Sequence, residues 1–193
     1  MAVYTSVNQF EIKEFLSQYN LGKFISYEGI IEGIENTNFK ITTEKGNFVL
    51  TIFEKRVDPN DLPFFINLQK FLSSKGFPCP IPIQNNNKIF INSLFNKKSV
   101  ISSFLNGKQI ESPIPEHCFE VGKMISKFQQ ITQKFKQSRL NNLDIDKWLK
   151  IFSKCLDVNN HNYHELLKFE VLKFLHLEYL DHPYMYLVFF LYI

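Results

Sequence analysis

An α+β chain is predicted, with an antiparallel β lobe holding one inserted helix and, after a short connector, a helical lobe. Short runs rich in Ile, Phe, Val and Thr at 24–31, 38–43 and 47–53 read as strands. Between 61 and 76 a helical period interrupts them. After Gly107 and the Pro113/Pro115 punctuation the period becomes helical throughout. These changes divide the chain into a β-rich lobe (1–101), a connector (102–108) and a helical portion (109–193), whose last residues, 180–193, form an aberrant apolar tail. A ligand is usually held in the cleft that such a layout creates.

The elements follow in order. Ser6-Val7-Asn8-Gln9 has the form of a capping box, and Ile12, Phe15, Leu16 and Tyr19 then recur at helical spacing until Gly22. Glu44-Lys45-Gly46 is a hairpin loop in which Gly46 supplies positive φ. Asp61 is the expected cap of a helix whose Phe64, Phe65, Leu68, Phe71 and Leu72 share one face, with Gly76 as its stop. Two further strands, 88–93 and 99–104, are expected on either side of a polar turn, Phe95-Asn96-Lys97-Lys98. Cys118, Val121, Ile125, Phe128 and Phe135 mark the next helix, and further helices are expected at 148–156 and 164–175.

Composition narrows the function classes. The 193 residues are 45% hydrophobic, enough for a real core, so disorder is not expected. The 22 basic and 19 acidic residues are dispersed, and no arm or stripe advertises nucleic acid. Lys55-Arg56 and Lys97-Lys98 read as solvated surface. The three cysteines are widely spaced, which argues against a disulfide framework or structural zinc and fits a reducing cytoplasm. The N-terminus carries charges where a signal peptide needs its apolar core. The block from Tyr184 to Ile193 falls short of the roughly twenty residues a membrane span needs, and self-association through it is the expected liability.

Candidate chemistry elsewhere reduces to simpler readings. Asp181-His182 precedes Pro183 and reads as a turn; Asp144 and Asp146 precede a helix, where Asp146 is most simply a cap. His161 and His164 lack a third metal ligand, and the adjacent His117 and Cys118 project to different helix faces. No catalytic or metal-binding residue is assigned. The stretch 36–54 opens on polar Asn36-Thr37-Asn38 and closes on apolar Phe48–Phe53. On composition alone it is an ordinary hairpin with an Asn-rich turn.

Tyr4-Thr5-Ser6-Val7, the run from Gly29 to Phe39, the run from Gly46 to Glu54, Asp61-Leu62-Pro63-Phe64-Phe65 and Phe104-Leu105-Asn106-Gly107-Lys108 follow one another in one order and spacing. Together these stretches resemble the homoserine kinases of the aminoglycoside phosphotransferase and choline kinase type, which share the protein-kinase-like fold. The likeness covers roughly residues 1–150. It implies ATP-dependent phosphorylation of the L-homoserine hydroxyl in threonine biosynthesis, with ATP and Mg²⁺ as cofactors. It further implies that Glu35, Asn36, Thr37 and Asn38 form the tip of a flap over the phosphates, that Thr51 lies beneath it, and that Ser103, Phe104 and Leu105 belong to the connector that reads the adenine edge.

The chain also departs from that pattern. Where protein kinases carry a Lys on the third strand and a Glu on the next helix, it has Thr51 and a helix without a carboxylate. Both partners of the ion pair are replaced together, and Lys55 or Arg56 are the nearest substitutes for the positive charge. The family's catalytic loop, His-x-Asp with Asn four residues on, is absent, so the chain is expected to be cut off before that loop and to be inactive alone. The alternatives are a non-catalytic, pseudokinase-like binding module and a fragment of a related aminoglycoside or choline phosphotransferase.

Overall fold

A computed structural model of the chain describes residues 3–31, 35–54 and 57–140. The chain divides into two compact units, Met1–Ser138 and Arg139–Tyr192. The expected helices at 148–156 and 164–175, the tail, and the candidates Asp144, Asp146, His161, His164, Asp181 and His182 lie outside the described residues, as do Lys55 and Arg56. The first unit places the expected β lobe, the connector and the first helix beyond it together.

Helix α1 (Gln9–Leu16) starts two residues later than its apparent signal. Asn8 is the cap: its side chain accepts from the Glu11 amide at 3.0 Å, and the Glu11 carboxylate accepts from the Asn8 amide at 2.8 Å. An amide or carboxylate reaches both partners of a capping box, and Asn8-x-x-Glu11 competes successfully with Ser6-x-x-Gln9.

The sheet consists of β1 (Phe24–Ile30), β2 (Thr37–Thr43), β3 (Gly46–Ile52), β4 (Pro82–Ile83), β5 (Asn92–Leu94) and β6 (Lys97–Ser103). Its order is β1-β2-β3-β6-β4, and β5 also pairs with β6. All five pairings are antiparallel. Gly46 takes φ +125° in the β2–β3 turn, where a side chain would be strained.

Strand alternation separates the two faces. Phe39, Ile41, Phe48, Leu50, Ile52 and Ile101 point to one side and bury there against Ile12, Phe15, Leu16 and Tyr19 of α1 and its C-terminal turn. Each such side chain contributes about 1.5–3 kcal/mol on burial, so this face, closed by α1, is the core of the unit.

The expected strand at 88–93 does not form over most of its length. Asn85 accepts from the Asn87 and Ile89 amides at 3.0 and 2.9 Å, Lys88 turns to φ 62°, and only Asn92–Leu94 pairs as β5. A side-chain amide thus outbids the extended ladder for the backbone donors. The following turn is tighter than expected: Phe95 and Asn96 at φ 52° and 59° make a two-residue reversal, and Lys97 and Lys98 belong to β6.

Helix α2 (Leu62–Ser74) follows a short 3₁₀ turn, Pro59–Asp61, capped by Asp58. Asp61 stands at the N-cap with helical backbone angles and makes no side-chain capping bond. The residues buried deepest are Leu62, Ile66 and Leu72, of which only Leu72 belongs to the predicted stripe. Phe64 and Phe71 instead meet Phe135, at ring distances of 5.7 and 5.3 Å. Helix α3 (Pro115–Thr132) packs Phe128 edge-on against Phe77 at 5.5 Å. Of its predicted stripe only Phe128 is buried, whereas Val121 is 58% exposed.

Candidate functional site

The sheet has a second face, and its residues define the candidate site. Opposite the core, Glu28 of β1 aligns with Lys40 of β2, Lys40 with Val49 of β3, and Val49 with Ser102 of β6. One step along the strands, Asn38 aligns with Thr51 and Thr51 with Val100. Asn38, Lys40, Val49 and Ser102 are half-buried while Thr51 and Val100 are buried, so this side is open along the Lys40–Val49–Ser102 row and closed over Thr51.

Of the residues expected to hold ATP, Asn38, Thr51 and Phe104 gather on this open side. The Thr51 hydroxyl donates to the side-chain Oδ1 of Asn38 at 2.8 Å, so the strand position of the missing lysine carries a neutral cross-strand bond. The Phe104 ring is covered by the Lys40 ammonium, 5.4 Å from its centroid, while the same ammonium donates to Glu28 at 2.8 Å. Leu105 follows and is exposed.

The other expected residues are placed differently. Asn36 and Thr37, expected at the tip of the flap, are both buried. Asn36 Oδ1 accepts from the Glu54 amide at 3.4 Å. Thr37 pairs with Ile52, on the side of the core. Glu35 is exposed at the entry to β2. Ser103 pairs with Phe48, again on the core side, and its hydroxyl accepts from the Ile81 amide at 2.8 Å. The amides of Ser103 and Phe104 donate to Ile81 and Asn47 carbonyls at 2.9 and 3.2 Å. Connector groups left to address a ligand are therefore carbonyls and residues beyond Phe104.

One cluster was not legible as a site. Glu54 follows β3 and accepts from the hydroxyls of Thr5 at 2.6 Å and Thr37 at 2.8 Å, and it forms an ion pair with Lys97 at the start of β6. Burial by itself would raise the Glu54 carboxyl, but hydrogen bonds from Lys97, Thr5 and Thr37, with the lysine's charge, outweigh it and hold the carboxyl below its usual value. Lys97, assigned by composition to solvated surface, is thus committed to a partner. Strand alternation was the available signal: Lys97 falls on the side of Ser99 and Ile101, and Glu54 on that of Ile52 and Leu50.

The same alternation separates this pair from Thr51, which points the other way. It does not stand in for the lysine and glutamate of a protein kinase. Among the described residues no group of three His, Cys, Asp or Glu side chains converges on one point. An open groove beside the end of α2 and β4, lined by Lys70, Ser74, Pro82 and Phe90, includes none of the expected site residues. Among the described residues no helix is long and apolar enough to cross a membrane.

An antiparallel sheet closed by a helix on one side and half-open on the other, leading through a connector into a helix, agrees with the comparisons. The model of the phosphotransferase enzyme family matches residues 26–183, and the chain belongs to that family. Among individual relatives, the homoserine kinase of Bartonella tribocorum is 42% identical over 155 residues, which are 80% of this chain and 49% of that protein. The homoserine kinase of Agrobacterium fabrum is 40% identical over 154 residues, 80% of this chain and 48% of that one.

Among solved structures, a spectinomycin phosphotransferase in complex with ADP and spectinomycin superposes with a TM-score of 0.55 at 12% identity, covering 79% of this chain and 47% of that one. An aminoglycoside phosphotransferase from Alicyclobacillus acidocaldarius gives 0.55 at 12% identity, covering 86% and 49%. The fold is α+β and protein-kinase-like. The chain spans about half the length of the curated relatives it matches.

Proposed function

We propose that this chain is the nucleotide-holding portion of a homoserine kinase, whose reaction moves the γ-phosphoryl of ATP to the L-homoserine hydroxyl. The observation that carries the reading is the half-open sheet face, which in this family's fold has a polar end at Asn38 and Thr51 and an aromatic end at Phe104. Val49 and the Lys40 stem would roof the adenine, and the connector's carbonyls with Leu105 would meet its edge. Glu35 and the backbone of Asn36–Asn38 would lie toward the phosphates. Homoserine as acceptor rests on the kinship with homoserine kinases, and a cytoplasmic location follows from the same kinship. The lobe and connector boundaries, 1–101 and 102–108, belong to the same proposal.

Turnover by this chain alone is not expected. Phosphoryl transfer depends on positioning and charge neutralisation, and the sequence contains no His-x-Asp…Asn loop to supply them. Thermal shift with MgATP, beside coupled ADP detection with homoserine, tests both halves. Nucleotide-dependent stabilisation without ADP release is the expected result. A rate in the ordinary kinase range of about 1–100 per second would overturn the inactivity, and no shift at millimolar MgATP would overturn the nucleotide reading.

The alternative of a binding module draws on one observation. Phe119 and Val121, on opposite sides of α3, are 70% and 58% exposed, apolar side chains open to association. Sedimentation of the purified chain across concentrations distinguishes it.

A further inference from the structure

The cluster around Glu54 joins four separate parts of the unit. Tyr4 and Thr5 belong to the N-terminal segment, Thr37 opens β2, Glu54 follows β3, and Lys97 opens β6. Thr37 Oγ1 accepts from the amides of both Tyr4 and Thr5 at 3.0 Å and donates to Glu54 Oε1 at 2.8 Å. Thr5 Oγ1 donates to the same oxygen at 2.6 Å and accepts from Lys97 Nζ at 2.6 Å. The second Glu54 oxygen takes the lysine directly. Finally, the Glu54 amide donates to Asn36 at 3.4 Å, so Asn36 and Thr37 are both tied to one residue.

Thr37 is 0% exposed and the Glu54 side chain 11% exposed, whereas Lys97 retains 36%. A charge pair in that setting is a poor source of stability, because desolvation offsets much of its attraction. What it supplies is direction: each hydroxyl has one donor orientation that satisfies all its partners. That direction is spent where β2 begins, at the segment expected to approach the phosphates.

We propose that the Glu54–Lys97 pair, acting through Thr5 and Thr37, clamps the Glu35–Asn38 segment in place for the phosphates of the nucleotide, with the N-terminal Tyr4–Thr5 stretch as its strap. This rests on the nucleotide reading above. Glu54 and Lys97 are positioning residues: they lie on the core side of the sheet and touch no nucleotide. Rigidity at the base of the phosphate segment would thus come from behind the sheet, where a protein kinase organises its phosphates by an ion pair within the site.

Two measurements on E54Q, K97M and T5V test the clamp. T5V keeps the ion pair and removes one hydroxyl, so it remains informative if the charge variants fold poorly. Amide exchange should quicken by about tenfold or more at Asn36–Asn38, and stay unchanged at the far end of β2, at Ile41 and Thr43. MgATP affinity should fall on the order of tenfold while adenosine keeps its affinity, a split that a merely stabilising role would not produce. Unchanged exchange at Asn36–Asn38 in E54Q and T5V would overturn the proposal, as would parallel loss of MgATP and adenosine. A wild-type chain that bound neither ligand would overturn the nucleotide reading and with it the phosphate role of the clamp, while the exchange data would still decide whether the cluster holds Asn36–Asn38.

Discussion

Glu54 concentrates the consequences of burial in one side chain. Its carboxyl ionises more readily in the fold than in the unfolded chain, where its ordinary value is 4.5. The contribution of the cluster is therefore complete above that pH and is lost as pH falls through the lower value held in the fold. Glu54→Gln is expected to cost about 1–3 kcal/mol at pH 7, read by urea denaturation, since Lys97 loses its counter-charge. Below about pH 4.5 the gap between wild type and variant should shrink, because the unfolded wild type then takes up a proton that the folded carboxyl still resists until the pH falls below its own lower value. A gap constant from pH 7 to pH 3 would mean that the charge contributes nothing. Tyr19 is a second buried polar group: burial pushes its hydroxyl up to about 12, partly offset by a hydrogen bond from Asn92 at 2.7 Å. Tyr19→Phe leaves that amide only its longer bond to the Phe90 carbonyl at 3.4 Å and should cost about 1 kcal/mol in the same assay.

The strands and their turns carry a different kind of prediction. Phe95 is a bulky residue at φ 52°, a conformation that costs an L side chain roughly 1–2 kcal/mol. It is also exposed, so little packing is lost on replacement. Phe95→Asn is expected to stabilise by about 1 kcal/mol, seen as a rise in Tm; a fall would show that the ring packs usefully. Within β3, Leu50 is fully buried on the α1 side and Val49 half-buried on the other. Leu50→Ala should cost about 2–5 kcal/mol, and Val49→Ala distinctly less, with its effect appearing instead in nucleotide affinity. Equal stability losses would contradict the two-faced sheet.

The unit of 1–138 presents one sealed side and one half-open side, and ligand linkage should report on the latter. At a hundredfold excess over Kd, MgATP would add about 2.7 kcal/mol of stability. The exposed α3 residues belong to surface: Phe119→Ser should change unfolding free energy by less than about 0.5 kcal/mol and lower any concentration-dependent mass in sedimentation. A larger loss of stability would place Phe119 in a core.

Much of this was legible in the residues alone, because it is local. The β2–β3 hairpin is written in Gly46 and in two runs of period two, the inserted helix in its 3.6 period, and the family in short stretches at fixed spacing. The choice of Asn8 over Ser6 as cap, and the failure of 88–93 to extend, turned on side-chain amides competing for backbone donors, which pattern cannot rank. Farther apart in the chain, pattern says less still. Asn36 and Thr37 look like the polar tip of a flap, yet their side chains are drawn inward by Glu54. Lys97 looks like solvated surface, yet it meets a carboxylate that follows a different strand. Composition and period determined which segments are strands and helices, since those depend on neighbours a few residues away. Only tertiary packing decided which polar groups face a ligand and which hold the sheet together, since hydrogen bonds between residues 5, 37, 54 and 97 exist once four separate segments have been brought to one end of it.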